Sequence, residues 1–258
     1  MRQKTALITG GAKGIGRSIA FQLAEDGINV IVNYRNSQQE AIALGNELSE
    51  KYGTRNWTLQ GDISNLADCQ RMVSEALAIT SIDILIHNAG PYIYDRKKLT
   101  DYSFEEWNYL INGNLNGAFY LTKLLIPQMR SKGWGRIITF GFDRVESAPG
   151  WIFRSAFAAA KTGLASLTKT IAIEEAENGI TSNMVCPGDI IKEWKECSIE
   201  DALTLKDVNS PVGRPGTGED ISRVVSFLVD EKSGFITGSI IPITGGKDVL
   251  GKVFREEV

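Results

Sequence analysis

Directly after a short apolar run, Thr5 to Thr9, the chain reads Gly10-Gly11-Ala12-Lys13-Gly14-Ile15-Gly16 and then enters a segment of helical period. Glycine lets a backbone turn sharply and approach another group where a Cβ would stand in the way. The free N–H groups and positive end of the helix that follows make such a turn a seat for an anion. A glycine-rich turn between a strand and a helix opens a βαβ unit, and it sets Gly10, Lys13, Gly14, Ile15 and Gly16 as candidate contacts to a nucleotide phosphate.

Beyond that turn, short apolar runs bounded by turn residues alternate with longer helical segments, the pattern of a parallel sheet. Strands are predicted at Thr5 to Thr9, Asn29 to Asn33, Asn56 to Leu59, Ile82 to His87, Arg136 to Phe140, Thr181 to Cys186 and Ser239 to Thr244. Helices are predicted at Gly14 to Glu25, Gln38 to Lys51, Leu66 to Ala78, Phe104 to Ser131, Ser155 to Glu177 and Glu219 to Val229. This is an α/β chain: a single Rossmann-type, doubly wound parallel sheet of about seven strands with helices on both faces. No linker divides it, so residues 1–258 are read as one nucleotide-binding domain. The stretch 187–211 breaks the alternation after the sixth strand and reads as a helical lid, with Lys192 of unassigned role.

Composition narrows the partners. A net charge of −3 and the absence of dense Lys and Arg runs argue against nucleic acid. Cys69, Cys186 and Cys197 are odd in number and far apart, so neither a disulfide framework nor a metal site is expected. No run of about 18 apolar residues occurs and the first apolar run is too short for a signal peptide, which predicts a cytoplasmic protein with no membrane partner.

The second strand ends Val32-Asn33-Tyr34-Arg35 and lacks the acidic residue that would bond a ribose 2′-hydroxyl. Arg35 and Lys13 instead offer two cations to a 2′-phosphate, so NADP(H) is favoured over NAD(H), with Tyr34 and Arg35 as candidate contacts. The bland alternative is that both cations are solvated surface charges.

From its glycine loop to about Gly246 the chain resembles the short-chain dehydrogenase/reductase family. Gly61-Asp62-Ile63 resembles the turn beside the adenine, and His87-Asn88-Ala89-Gly90 the motif after the fourth strand. Asn114 matches the helix Asn that anchors a proton-relay water, and Pro187-Gly188 the turn on the nicotinamide side. Gly135-Arg136-Ile137-Ile138-Thr139 and Pro211-Val212-Gly213-Arg214 resemble 3-oxoacyl-acyl-carrier-protein reductases. The resemblance implies cofactor contacts at Asp62, Ile63, Asn88, Ala89, Gly90, Lys161, Pro187, Gly188 and Ile190. It implies a carbonyl or acyl-thioester substrate and a homodimer or homotetramer that pairs through the helices around 104–131 and 155–177.

Catalysis in the family needs a Tyr proton donor, a Lys four residues later and a Ser about a dozen residues before the Tyr. Here Lys161 and Asn114 are retained, but Phe157 stands four residues before Lys161 and Phe142 at the Ser position, with the loop 143–154 about two residues longer than usual. A phenyl ring neither donates nor accepts an ordinary hydrogen bond. Phe142 is alternatively a core aromatic if that loop shifts the correspondence. Tyr92, Tyr94, Asp143, Ser147 and Ser155 are candidate substitute acids, with Tyr94 and Asp143 first, against the plain reading of each as loop surface or helix cap. His87, the only histidine, reads as a packed strand end more than as a catalytic group. Two functions stay open: a reductase with an altered or weakened donor, or a catalytically silent NADP(H)-binding protein acting as a redox sensor or oligomer partner.

Overall fold

Side-chain alternation decides the layers. In the first strand, β1 (Thr5–Ile8), Ala6 and Ile8 join one buried cluster and Leu7 another. The same split recurs in β4 (Ile84–His87), where Ile84 and Ile86 oppose Leu85. It recurs again in β5 (Gly135–Phe140), where Ile138 and Phe140 oppose Ile137. A strand apolar on both faces must be covered on both, which is why the chain winds helices to either side.

The computed structural model describes residues 3–248 and Leu250. With β2 (Asn29–Tyr34), β3 (Asn56–Gln60), β6 (Ile180–Pro187) and β7 (Ile240–Ile243), the strands form one seven-stranded parallel sheet in the order β3-β2-β1-β4-β5-β6-β7. Helices α1 (Gly14–Glu25), α2 (Gln38–Tyr52) and α8 (Gly218–Val229) cover one face; α3 (Leu66–Ile79) and α5 (Gly117–Lys132) cover the other, with Ile171 of α6 (Ser155–Glu174). Strand order reverses between β1 and β4, and ligands of such sheets sit beyond the strand ends at that crevice.

Three predicted elements differ in form. The single helix expected over 104–131 is α4 (Phe104–Ile111), a π-turn at Asn112–Asn116, and α5. The helix expected to reach Glu177 stops at Glu174, because the buried Glu175 carboxylate takes hydrogen bonds from Arg130 at 2.5 and 2.8 Å and from Asn178 at 3.1 Å, and Gly179 turns at φ 70°. The lid is helical only at Lys192–Lys195 and in α7 (Ile199–Leu203).

Close approach at the crevice depends on Gly16. A Cβ there would lie 2.6 Å from both Gly10 O and Asn88 Nδ2. At Gly45, inside α2, the nearest neighbour would be 3.8 Å away. We expect Gly16→Ala to lower stability by about 1–3 kcal/mol through overpacking. Gly45→Ala is expected to raise it by about 0.5–1 kcal/mol by removing chain freedom from the unfolded state. Urea midpoints of the two variants check the contrast, and midpoints moving in the same direction would contradict it.

Candidate functional site

The glycine loop is clamped to the end of β4. Asn88 Nδ2 donates to the carbonyls of Thr9 and Gly10, both at 3.0 Å, and Ala89 N–H donates to Thr9 Oγ1 at 3.0 Å. Gly10 and Gly14 take positive φ, 59° and 60°, which β-bearing residues adopt only at a cost. Beside the loop opens a cleft of about 320 Å³ lined by Gly10, Arg35, Asp62, Ile63, Ala89 and Gly90, together with Asn33, Tyr109 and others. That volume lies within the usual range for small-molecule sites.

Several proposed contacts therefore meet in one place, but Tyr34 does not. It is in phase with Val30 and Val32, so its ring is 7% exposed in the core beneath α1 and α2. The residues of opposite phase, Asn33 and Arg35, face the cleft. Strand phase carried the signal for Asn33: its Oδ1 accepts from Gly10 N–H at 3.3 Å, and its Nδ2 donates to Leu59 O and Gly61 O. Ile15 and Ile190 pack against the same core as Tyr34.

Neither cation is the free charge the sequence suggested. Lys13 pairs with Glu40 of α2, and Arg35 Nη1 lies 3.3 Å from Asp62 Oδ2. Hydrogen bonding to Tyr109 first, and to Asp62 next, holds the Arg35 guanidinium above its ordinary value. Burial pushes the Asp62 carboxyl up, but hydrogen bonds from Ser64 and Arg35 outweigh it and leave the group below the usual range.

Gly90, which lines the cleft, meets a second group of residues. A Cβ on Gly90 would lie 2.3 Å from Asn114 Oδ1 and 3.5 Å from Lys161 Nζ, so these two side chains converge on Gly90. Asn114 sits in the π-turn and donates through Nδ2 to Pro91 O at 2.8 Å and Leu110 O at 3.0 Å; its buried Oδ1 has no partner among the described residues. Gly113 is required beside it, since a Cβ would meet Pro91 Cδ at 2.3 Å. Lys161 is 5% exposed and is in no hydrogen bond or ion pair among the described residues. Burial pulls its ammonium down to about 8, against a smaller opposing effect of Cys186.

Around Lys161 stands a cluster of rings. Its Nζ lies 5.7 Å from the Phe157 centroid, and Phe157 packs on Phe142 at 6.4 Å, Trp151 at 6.0 Å and Tyr92 at 5.0 Å. The long loop 143–154 delivers Trp151 onto Phe142 at 5.0 Å and bends through three non-glycine residues of positive φ, Arg144, Ala148 and Phe153. Such strain persists only where surrounding packing fixes it. Phe142 is buried in a satellite cluster with Val145, Met184 and Cys186.

Of the remaining candidates, Tyr94 is 78% exposed, Ser147 Oγ donates to Arg144 O, and Ser155 Oγ is buried without a partner among the described residues. Asp143 is buried, with Arg144 Nε 4.0 Å away. His87 points away from the cleft to Thr122 Oγ1 at 2.8 Å, and burial first, then the Lys161 charge, lowers it to about 3, so it stays neutral. From the lid, Glu196 Oε1 accepts from Gly14 N–H at 2.5 Å, and Lys195 O accepts from Ser18 Oγ at 2.8 Å. No local sequence pattern signals that the lid reaches the glycine turn. Gly188 closes the lid's start, its N–H on Ile243 O at 2.8 Å, where a Cβ would meet Thr244 Cα at 2.8 Å.

The buried ammonium sets a pH dependence. Below pH 8 the folded and unfolded states both carry the proton and the folded state bears the full cost; between pH 8 and 10.5 only the unfolded state keeps it, so stability rises with pH. Lys161→Met is expected to stabilise the protein at pH 7 by roughly 1–3 kcal/mol. That gain should shrink as the pH approaches 10, and urea unfolding of both proteins at pH 7 and 10 measures it. A gain that does not change with pH would contradict the assignment to this charge.

Similar proteins carry related names. A family model described as enoyl-(acyl carrier protein) reductase matches residues 10–248. YtkK of Bacillus subtilis (strain 168), provisionally named an oxidoreductase, is 51% identical over 249 residues, covering 96% of this chain and 97% of that protein. The 3-oxoacyl-[acyl-carrier-protein] reductase FabG of Staphylococcus epidermidis is 36% identical over 244 residues, covering 94% and 98%. A solved structure from Bacillus thuringiensis, provisionally named a 3-oxoacyl-reductase, superposes with TM-score 0.89 at 48% identity, covering 96% of this chain and all of that one. The family match spans residues 10–248, and the relatives and the solved structure cover nearly the whole chain; on that ground this chain belongs to the short-chain dehydrogenase/reductase family of oxidoreductases.

Proposed function

We propose that this chain is an NADPH-dependent reductase of a 3-oxoacyl thioester or similar carbonyl, built as one domain and working in the cytoplasm with an altered proton donor. The observation that carries the reading is the convergence at Gly90. Gly90 lines the cleft beside the glycine loop, and Lys161 Nζ and the orphaned Asn114 Oδ1 both converge on it. A buried carbonyl oxygen without a partner, such as Asn114 Oδ1, is costly unless a ligand or water completes it.

These residues fit a nicotinamide nucleotide, which when bound supplies the two electrons and the hydrogen that reduce a carbonyl. The turn at Gly10, Gly14 and Gly16, with Ile15 between, would take the pyrophosphate. Asp62 and Ile63 would flank the adenine, and Asn88, Ala89 and Gly90 would wall the ribose side. Lys161 would hold ribose hydroxyls, and Pro187, Gly188 and Ile190 would close over the nicotinamide. Asn114 would anchor a relay water. Arg35 and Lys13 would meet a 2′-phosphate after giving up Asp62 and Glu40.

Names of relatives point the same way, FabG being a 3-oxoacyl-[acyl-carrier-protein] reductase. Among the described residues no helix is long and apolar enough to cross a membrane, and no group of three His, Cys, Asp or Glu would hold a metal. The apolar stretch Phe157 to Ala172 packs mainly inward, so a homodimer or homotetramer would instead use exposed side chains such as Phe104, Phe119 and Ile173.

Phenyl rings at 142 and 157 favour a second reading, a silent NADP(H)-binding protein that senses redox state or supports an active partner. Removing a general acid costs about 10²–10⁴ in rate. The deciding measurement is NADPH consumption with a short 3-oxoacyl thioester, run beside Phe157→Tyr. Turnover by the wild type supports the reductase; NADPH binding with no consumption supports the silent protein. For cofactor choice, Arg35→Ala is expected to weaken NADPH binding about 10- to 100-fold, the worth of a charge-assisted bond, and to leave NADH within about twofold. Equal losses for both nucleotides in a fluorescence titration would remove Arg35 from 2′-phosphate recognition.

A further inference from the structure

The ring at position 157 carries no hydroxyl, but a ring packed on it does. Tyr92, two residues beyond Gly90, stands edge-on to Phe157 with centroids 5.0 Å apart. Its hydroxyl oxygen accepts a 2.5 Å hydrogen bond from Arg154 Nε. The rest of that guanidinium donates to the carbonyls of Phe153, Tyr94 and Asp95 at 2.8–3.0 Å, and Arg154 is in no ion pair among the described residues. Its charge is therefore not neutralised by a carboxylate, and the Tyr92 oxygen is its one side-chain acceptor.

Resting on the reductase reading above, we propose that Tyr92 is the proton donor of this site and Arg154 its positioning residue. In the reaction the carbonyl carbon is reduced by NADPH and the electron pair of the C=O π bond moves to oxygen. That oxygen forms a bond to the Tyr92 proton as the phenol O–H breaks. The phenolate left behind stays within the charged hydrogen bond from Arg154 Nε, the kind of contact that stabilises an oxyanion most. Water returns the proton on the side where Tyr94 is exposed. NADPH is oxidised, the ketone becomes an alcohol, and one solvent proton is consumed.

The loop 143–154 gains a purpose from this arrangement. It ends by turning Phe153 to φ 65° and presenting Arg154 at the start of α6, one helical turn before Phe157. The Tyr102 hydroxyl fixes that bend by donating to Phe153 O at 3.0 Å. The phenyl ring of Phe157 then serves as a wall for Tyr92, where a phenol would compete for the same carbonyl.

The test uses the full chain and acetoacetyl thioester. Tyr92→Phe keeps the ring and its packing, and is expected to lower kcat about 10²–10⁴-fold. Adding Phe157→Tyr in that background should restore at least a tenth of the rate. A readout without turnover accompanies it: with NADP⁺, which cannot reduce the thioester, calorimetry should show the thioester bound about fivefold more weakly by Tyr92→Phe, the loss of one hydrogen bond. For the positioning role, Arg154→Lys should retain far more activity than Arg154→Met. A wild type that turns over while Tyr92→Phe stays within twofold of it overturns the inference and leaves the reductase standing. A wild type that binds NADPH but never consumes it overturns both.

Discussion

The clamp between the glycine loop and β4 is the constraint on which the rest of the site depends. Asn88 spans the point where strand order reverses and ties down the carbonyls of Thr9 and Gly10. The bonds require that nothing larger than hydrogen stand at position 16, since any Cβ would lie 2.6 Å from Asn88 Nδ2. With the loop drawn onto β4, Gly90 and Pro91 are carried over the π-turn, where Gly113 makes room and Asn114 bonds Pro91 O. One amide thus fixes both the glycine turn and the placement of Gly90, on which Lys161 and Asn114 converge.

What the sequence made legible follows from this. The sheet, its seven strands and the start of α1 at Gly14 came from patterns of apolar residues and glycines, which report burial and backbone freedom directly. Phe157 lies four residues before Lys161 on one helix, so helical spacing alone sets those two side chains near each other, 5.7 Å from Nζ to ring centroid. Hidden were facts that depend on which side chains reach across space. Tyr34 follows the strand phase of Val30 and Val32, which turns it into the core and away from the cleft. Glu40, Glu196 and Arg154 lie on other elements, and no local pattern tells that a lid carboxylate will reach Gly14 or that an arginine will cross to Tyr92.

Burial of Lys161 shows a conflict between folding and chemistry. An ammonium 5% exposed and without a partner among the described residues opposes folding, and a methylene chain ending in a methyl would pack there at less cost. The Phe157 ring, 5.7 Å from Nζ, offsets only part of that cost through its π face. Yet the same burial strengthens any bond the ammonium makes to a ligand hydroxyl, because its hydration has already been given up. A residue that a stability argument would replace is the one a binding argument keeps.

The lid adds a second conflict, at the other end of the cleft. Free N–H groups at the start of a helix attract an anion, and here the lid meets one of them with the carboxylate of Glu196, whose other oxygen lies 3.8 Å from Arg17 Nη1. Ser18 and Lys195 hold the lid's backbone to α1, and Trp194 packs against the main core, so the contact is built from both sides. A phosphate approaching Gly14 meets a negative charge already in place and must displace it or share the helix end with it at the expense of repulsion. If phosphate binds this turn as proposed, lid position and its occupancy are linked: drawing Glu196 away would uncover the Gly14 N–H, and phosphate bound there would disfavour the seated lid.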